Sequence, residues 1–269
     1  MRPRRRLRTV TFLIIIMICG VAMGQTPERR STTFSVELKS NAYEQYAYAS
    51  RLFGEGQRAG MPREDALFRE IAALELVPQR WPQEREVCVQ AYALAVQMLS
   101  GPTYAVNAVQ MAEKAERYGI DDAPQLPFIL ADKAVALSWL GQYDVAEETF
   151  LRAFHSKQFT KDVEPRFQRA LWIDLAFMYK RQKRHRDAAA ILRHCATLQG
   201  SHSFDKADDL SGSIDSDLAA GDLTAANADF DALLLEASTL RTKKINPAEV
   251  SRLPYLDQAI ADYRKKLKR

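Results

Sequence analysis

Residues 169–198 read RALWIDLAFMYKRQKRHRDAAAILRHCATL, and this stretch decides the fold class. Its apolar and small residues recur at every third or fourth position, which is the period of an amphipathic α-helix. The basic run 180–186 (KRQKRHR) interrupts the pattern, and the same period resumes at Ala188. The stretch therefore predicts two helices joined by a short turn near Lys183.

The same arrangement recurs along most of the chain. Turns between helices are predicted near Gly60, Gly101, Gly141, Lys183 and Gly221, which are separated by 41, 40, 42 and 38 residues. Strands are not expected, because the sequence lacks sustained alternation of apolar and polar residues and has no Asn-Gly or Asp-Gly hairpin turn. Near-regular helix–turn–helix units indicate an α-solenoid, in which each pair of helices buries a face against the next pair.

The coarse periodicity also gives boundaries for the helices. We expect Gly141 and Gly221 to adopt positive φ after a helix end. Residues 246–249 (NPAE) are typical of a capping box with proline at the first helical position. The predicted helices span 39–57, 63–77, 83–99, 103–118, 127–140, 143–156, 165–182, 185–199, 205–220, 223–240 and 247–267.

Individual residues of 169–198 match a known repeat pattern. Ala188 and Leu192 follow A-x3-F spacing, with leucine in the aromatic position. Four residues of the first helix match W-x2-L-G-x2-Y, with alanine in place of glycine: Trp172, Leu175, Ala176 and Tyr179. On these residues the chain resembles the tetratricopeptide repeat (TPR) family. The best matches are residues 127–154 and 169–198, and 207–234 match more weakly. The repeats are spaced by about 40 residues instead of about 34, and the proline that ends a TPR repeat is missing. We therefore describe the chain as TPR-like and not as a strict TPR protein.

The resemblance implies an all-α fold: an α-solenoid of about five antiparallel helix pairs over 39–269, closed by a C-terminal capping helix at 247–267. Four small residues would let neighbouring helices approach closely: Ala134, Ala146, Ala176 and Ala188. In TPR proteins the first helix of each pair lines a concave ligand groove. The residues that the resemblance places in that groove are Phe128, Val135, Ser138, Trp139, Phe177, Lys180 and Arg181.

The N-terminus has the pattern of a secretory signal peptide. Within residues 1–24, five arginines precede an apolar run of about 14 residues, and small residues flank a cleavage point before Gln25. The run is shorter than the ~20 residues that span a bilayer, so we expect cleavage and no stable membrane insertion afterwards. An uncleaved, membrane-tethering signal is the alternative. Residues 25–38 are polar and aperiodic and predict a flexible lead-in. The expected location is periplasmic or secreted.

Export leaves two cysteines, Cys88 and Cys195, in an oxidising compartment. They form either one disulfide or two buried free thiols. We favour the thiols, because each cysteine lies among apolar helical neighbours.

The net charge and the absence of known catalytic motifs argue against several classes of function. The net charge is +4, but without the first 24 residues the chain has 33 basic and 34 acidic residues, which argues against a nucleic-acid-binding protein. No G-x-S-x-G, H-E-x-x-H or Walker-type loop is present, so we expect no catalytic residues, no cofactor and no metal. The four histidines are interpreted as surface or helix-capping residues. The acidic pairs at 121–122 and 208–209 are interpreted as charges near the positive ends of helices.

These observations predict a protein-protein interaction module, not an enzyme, with a protein or peptide partner bound along a helical groove. The run 180–186 is either a solvated turn or a patch that recognises anions, and Trp139 is either a core residue or an aromatic anchor. Two other classes stay open: a cell-envelope scaffold that oligomerises, and an enzyme built on a helical array. The sequence leaves the partner, the oligomeric state and the membership of 39–118 in the same stack open.

Overall fold

The all-α prediction is confirmed. The computed structural model describes residues 36–198, 202–243 and 245–268, and over these ranges it contains helices and no strand. The predicted signal peptide (1–24) and residues 25–35 of the predicted lead-in lie outside the described residues. The α-helices are α1 Ala42–Ala49, α2 Leu52–Arg58, α3 Arg63–Arg80, α4 Arg85–Leu99, α5 Ala105–Tyr118, α6 Leu126–Trp139, α7 Tyr143–His155, α8 Lys157–Asp162, α9 Pro165–Arg181, α10 His185–Cys195, α11 Asp205–Ala220, α12 Leu223–Thr242 and α13 Leu253–Lys266. Two 3-10 helices span Pro102–Tyr104 and Pro247–Arg252.

The helices divide into two compact units. The first unit contains residues 36–100 and 107–125, and the second contains 101–106 and 126–268.

The first unit is built around α3, against which α1, α2 and α4 pack. Its apolar face is buried over two turns, including Leu67, Ile71 and Leu74. The prediction of one helix over 39–57 is wrong, because α1 and α2 are separate. The buried Glu70 carboxylate of α3 accepts the Phe53 N–H at 2.7 Å, which satisfies one of the free backbone donors that open α2. A tertiary contact therefore stabilises a helix start that local sequence does not mark.

The second unit consists of consecutive helices packed in pairs. α6 packs on α7, α9 on α10, and α11 on α12, while α10 also packs on α11. The four alanines predicted to allow close approach are all buried, with at most 1% of each exposed: Ala134, Ala146, Ala176 and Ala188. The packing logic read from the sequence is confirmed, since a larger side chain at these positions would separate the helices.

The predicted turns share one local geometry at four of five positions. Gly60, Gly141 and Gly221 have φ of 76°, 76° and 73°, and Lys183 has φ of 60°. At each turn the next N–H reaches back five residues to a carbonyl, as from Arg184 to Tyr179 at 2.9 Å. This left-handed cap closes the helix ends. Gly101 differs, since its φ is −73° and it precedes the 3-10 helix Pro102–Tyr104.

Several other boundaries also differ from the prediction. Residues 157–164, which lie between two predicted helices, contain α8, which begins where the Ser156 hydroxyl accepts the Phe159 N–H at 3.2 Å. The helix predicted at 103–118 begins as an α-helix only at Ala105, and the one predicted at 247–267 begins as a 3-10 helix. The face of α13 formed by Leu256, Ile260 and Tyr263 is buried against α11 and α12, while Arg264, Lys265 and Lys266 are exposed.

Candidate binding pocket

Two helices of the second unit supply the walls of an open pocket of about 420 Å³. Val135 and Trp139 are four residues apart on α6, and so share one helix face. Asp174, Phe177 and Arg181 lie at positions i, i+3 and i+7 of α9, which places them on one face as well. The six lining residues are Val135, Trp139, Asp174, Phe177, Lys180 and Arg181. We call this site the Trp139 pocket; its volume is typical of small-molecule and side-chain sites.

Trp139 is the aromatic wall of the pocket. Its side chain is 45% exposed, so it is not the core residue that the sequence left as one alternative. The Arg181 guanidinium carbon lies 3.8 Å from the centroid of the Trp139 ring, a cation–π contact. Phe177, 57% exposed, adds a second aromatic side chain. Exposed aromatic surface beside a cation is typical of residues that dominate binding energy in interfaces.

Arg181 has donors without acceptors. Its Nη2 donates to the Ser138 hydroxyl, which in turn donates to the Val135 carbonyl at 2.5 Å. Its Nε and Nη1 are buried, and among the described residues no acceptor lies within hydrogen-bonding distance of either atom. Burial lowers the pKa of Arg181, although Tyr143 and Asp174 act in the opposite direction. A buried donor without a partner costs free energy that an incoming acceptor would recover.

Asp174 is the acidic residue of the pocket. Burial raises the pKa of its carboxyl from the ordinary value of 3.8 to about 6, and the positive charge of Arg181 only partly opposes this. Within the part of the chain that the structure describes, the carboxylate has no hydrogen bond or ion pair. A carboxylate in this environment is held ionised at neutral pH at some cost in stability.

Lys180 closes the side of the pocket that faces α11. Its Nζ donates to the Gly212 carbonyl at 3.4 Å and lies 5.8 Å from the centroid of the Phe177 ring. Gly212 allows α11 to lie close to α10, because a Cβ there would lie only 3.2 Å from Leu192. Burial lowers the pKa of Lys180, and Asp215 partly offsets that effect.

The basic run 180–186 divides between two roles. Arg184 is paired with Glu147 at 2.5 Å and with Asp187 at 2.6 Å, so it belongs to the packing of the turn. Lys183 provides the left-handed backbone of that turn. Lys180 and Arg181 line the Trp139 pocket instead.

Five of the seven predicted groove residues meet at this pocket, and two do not. Ser138 is buried behind the wall, where it supports Arg181. Phe128 lies near the other end of α6 and packs edge-on against Phe167, with 6.1 Å between ring centroids. Asp174 was missed, although its position three residues before Phe177 and seven before Arg181 was a readable signal.

Other candidate residues outside the pocket have structural partners. Asp208 pairs with Arg252 at 2.6 Å, and Asp122 pairs with Arg85. Asp209, interpreted as a helix-end charge, is a buried ion-pair partner of Arg169. Three of the four histidines are exposed: His155, His194 and His202. Cys88 and Cys195 are buried free thiols, as favoured.

Over the described ranges, no group of three or more histidine, cysteine, aspartate or glutamate side chains is arranged to hold a metal ion. No helix in those ranges is both long and apolar enough to cross a membrane.

Comparisons with known proteins concern the fold alone. No protein-family model matches the sequence, and no curated protein matches it either. Among solved structures, the chain is similar to BtubC (BKLC) from P. vanneervenii, at 14% identity and a TM-score of 0.50. The match covers 78% of this chain and 96% of that chain. It agrees with an all-α helical array.

Proposed function

We propose that the chain is an exported, TPR-like protein-protein interaction module that binds a peptide segment of another protein in the Trp139 pocket. Export rests on the N-terminal sequence alone. The mechanism is surface complementarity without turnover. One observation carries the proposal: Trp139 and Phe177 expose aromatic surface beside Arg181, whose Nε and Nη1 have no acceptor among the described residues.

Both parts of that observation favour a ligand. Trp139 and Phe177 are 45% and 57% exposed, and a side chain that packs between them would remove part of this apolar surface from contact with water. The guanidinium would gain an acceptor for donors that are already out of water. A peptide offers both, because its backbone carbonyls and side chains provide acceptors next to apolar groups.

The test is selection of peptides from a random nonapeptide display library on the purified protein. The affinity of each recovered peptide is then measured for the wild type, for Trp139→Ala and for Tyr255→Ala. Tyr255 is a matched control, because it is 78% exposed on α13 and does not line the pocket. We expect Trp139→Ala to weaken binding at least ~10-fold, as for an interface hot spot, and Tyr255→Ala to leave it unchanged. Failure to recover any peptide, or equal binding by the two variants, would overturn the proposed function.

A further inference from the structure

The side chains that line the Trp139 pocket provide more hydrogen-bond donors than acceptors. Arg181 has five N–H donors, of which the Ser138 hydroxyl accepts one, and its buried Nε and Nη1 have no acceptor in the described residues. Lys180 has one long contact, at 3.4 Å, to the Gly212 carbonyl. The pocket therefore favours a ligand that brings acceptors.

The charges point the same way. Lys180 and Arg181 give the lining two positive charges, and Asp174 gives it one negative charge. A carboxylate ligand would satisfy the donors, since charge-assisted hydrogen bonds to guanidinium are the strong ones. Asp174 opposes that ligand as long as it is ionised, because two carboxylates in one small site repel each other.

We propose that the pocket takes an acidic side chain of a peptide, flanked by an apolar side chain that packs on Trp139, and that Asp174 is its specificity-determining residue. The negative charge of Asp174 weakens binding of the acidic peptide, and protonation of Asp174 removes that opposition. This inference rests on the proposed function, because it names the partner chemistry and regulation of the same pocket.

The surrounding groups determine how binding depends on pH. Arg181 is the charged residue that acts on Asp174. Burial lowers the pKa of Arg181 and that of Lys180 from their ordinary values of 12.5 and 10.5. Tyr143 of α7 acts on Arg181, and Asp215 of α11 acts on Lys180. The pocket face of α6 contributes Val135 and Trp139, which do not titrate. In the turn before α10, Arg184 is held by Glu147 and Asp187.

These groups leave Asp174 as the pocket residue that changes charge between pH 5 and 7.5. Burial raises its pKa to about 6, whereas the peptide's glutamate keeps a pKa of roughly 4. Between those values the pocket gains net positive charge while the peptide stays anionic. The acidic peptide should therefore bind more tightly as the pH falls from 7.5 to 5.5. By linkage, its binding near pH 6 to 6.5 should take up protons.

The experiment uses the tightest acidic nonapeptide recovered from the library at pH 5.5, and a twin with glutamine in place of each glutamate. For the wild-type protein we expect the dissociation constant of the acidic peptide to fall about tenfold from pH 7.5 to 5.5, and that of the twin to stay constant. Asp174→Asn should bind the acidic peptide at pH 7.5 as tightly as the wild type does at pH 5.5. Asp162→Asn is the control, because Asp162 is exposed on α8 and does not line the pocket.

Proton uptake gives a readout that does not depend on a variant. Calorimetric titration of the wild type in two buffers of different ionisation enthalpy should report uptake at pH 6 to 6.5, which Asp174→Asn abolishes. The inference would be overturned if the library gave neutral peptides at both pH values, or if the wild type bound the acidic peptide equally at both. The proposed function would still stand in either case, provided that peptide binding depended on Trp139. The inference would also be overturned if inorganic polyphosphate bound with the same dependence on Asp174 and the acidic peptide did not bind.

Discussion

The two ends of α9 contain the same residue types in opposite situations. Near its start, Arg169 donates through Nε and Nη2 to the two oxygens of Asp209, both at 2.7 Å, and Nη2 also contacts the Asp205 carbonyl at 3.0 Å. At its end, Arg181 has two buried nitrogens without an acceptor among the described residues. A bidentate pair fixes Arg169 in place. The same helix thus holds one arginine with a bidentate partner and, three turns later, one with two donors that have no acceptor in the described part of the chain.

The aromatic residues differ in the same way. The Trp172 ring stacks on Phe154 with 3.8 Å between ring centroids, and it lies nearly perpendicular to Phe159 and to His194. Phe177, five residues later, is 57% exposed. Trp172 is therefore packed within the second unit, while the face of the same helix that carries Phe177 lines the pocket.

Replacement of Trp172 by alanine should have the largest effect on stability. Removing a ring stacked among aromatic neighbours should lower the free energy of unfolding by ~3–5 kcal/mol. Trp139→Ala is the matched control, because Trp139 is 45% exposed, and its loss should cost less than ~1 kcal/mol. Urea denaturation of both variants measures the difference. Equal midpoints would contradict the division of α9 into a packed face and a pocket face.

Arg169→Met should come next, at about 3 kcal/mol of destabilisation. The substitution keeps the apolar stem but leaves the buried Asp209 carboxylate, 3% exposed, without its partner. Denaturation at pH 7.5 is the measurement, and Arg166→Met is the control, because Arg166 has an exposed side chain at the helix start and pairs with the exposed Glu164. A cost near zero would mean that the Arg169–Asp209 pair contributes no more than a surface pair.

Sequence reasoning predicted the packed face of α9 better than the pocket. The spacing of Trp172, Leu175, Ala176 and Tyr179 is a local signal that depends only on helical period, and Leu175, Ala176 and Tyr179 are buried. The turn at Lys183 could also be read locally, because the apolar pattern stops and restarts around it. Features that depend on one element meeting another were missed. The break between α1 and α2 depends on Glu70 of α3, which is 17 residues beyond Phe53.

The candidate pocket was predicted only in part, because it too forms where one helix meets another. Trp139 and Phe177 were found because they face away from the alanine stripe of their own helices. Phe128 lies outside the Trp139 pocket, since residues 11 apart on a helix are separated by about 16 Å along its axis. The position of Asp174 could be read from the sequence, but its raised pKa could not, because it arises from burial between elements.

Asp174→Asn should have a smaller effect on stability, opposite in sign and dependent on pH. The folded-state pKa of about 6 lies above the ordinary value of 3.8, so the unfolded chain ionises more readily than the folded one. Ionisation therefore destabilises the folded protein progressively from about pH 4 to pH 6, and fully above that range. Asparagine removes this effect, and it should raise the free energy of unfolding by roughly 1–2 kcal/mol at pH 7.5 after allowance for solvent.

Thermal unfolding of wild type and Asp174→Asn across pH 4 to 8 tests this dependence. The melting temperatures of the two proteins should coincide near pH 4, diverge progressively up to about pH 6, and keep a constant difference above it. A variant that is less stable than the wild type at pH 7.5 would show that the Asp174 carboxylate has a stabilising partner, contrary to its unpaired state among the described residues.

Arg181→Met should have the smallest effect on stability, although it is the same substitution as Arg169→Met on the same helix. The variant loses the hydrogen bond to Ser138 and the guanidinium contact with Trp139, but it also removes two buried donors that lack acceptors. These effects oppose each other, so we expect a change within ~0.5 kcal/mol. Binding of the library peptides should nevertheless fall at least ~10-fold, since their acceptor groups lose a charged donor. Urea denaturation and peptide titration of the two methionine variants separate the roles. If Arg181→Met were as destabilising as Arg169→Met and left peptide binding intact, both arginines would serve packing, and the pocket would have no ligand-directed charge at that position.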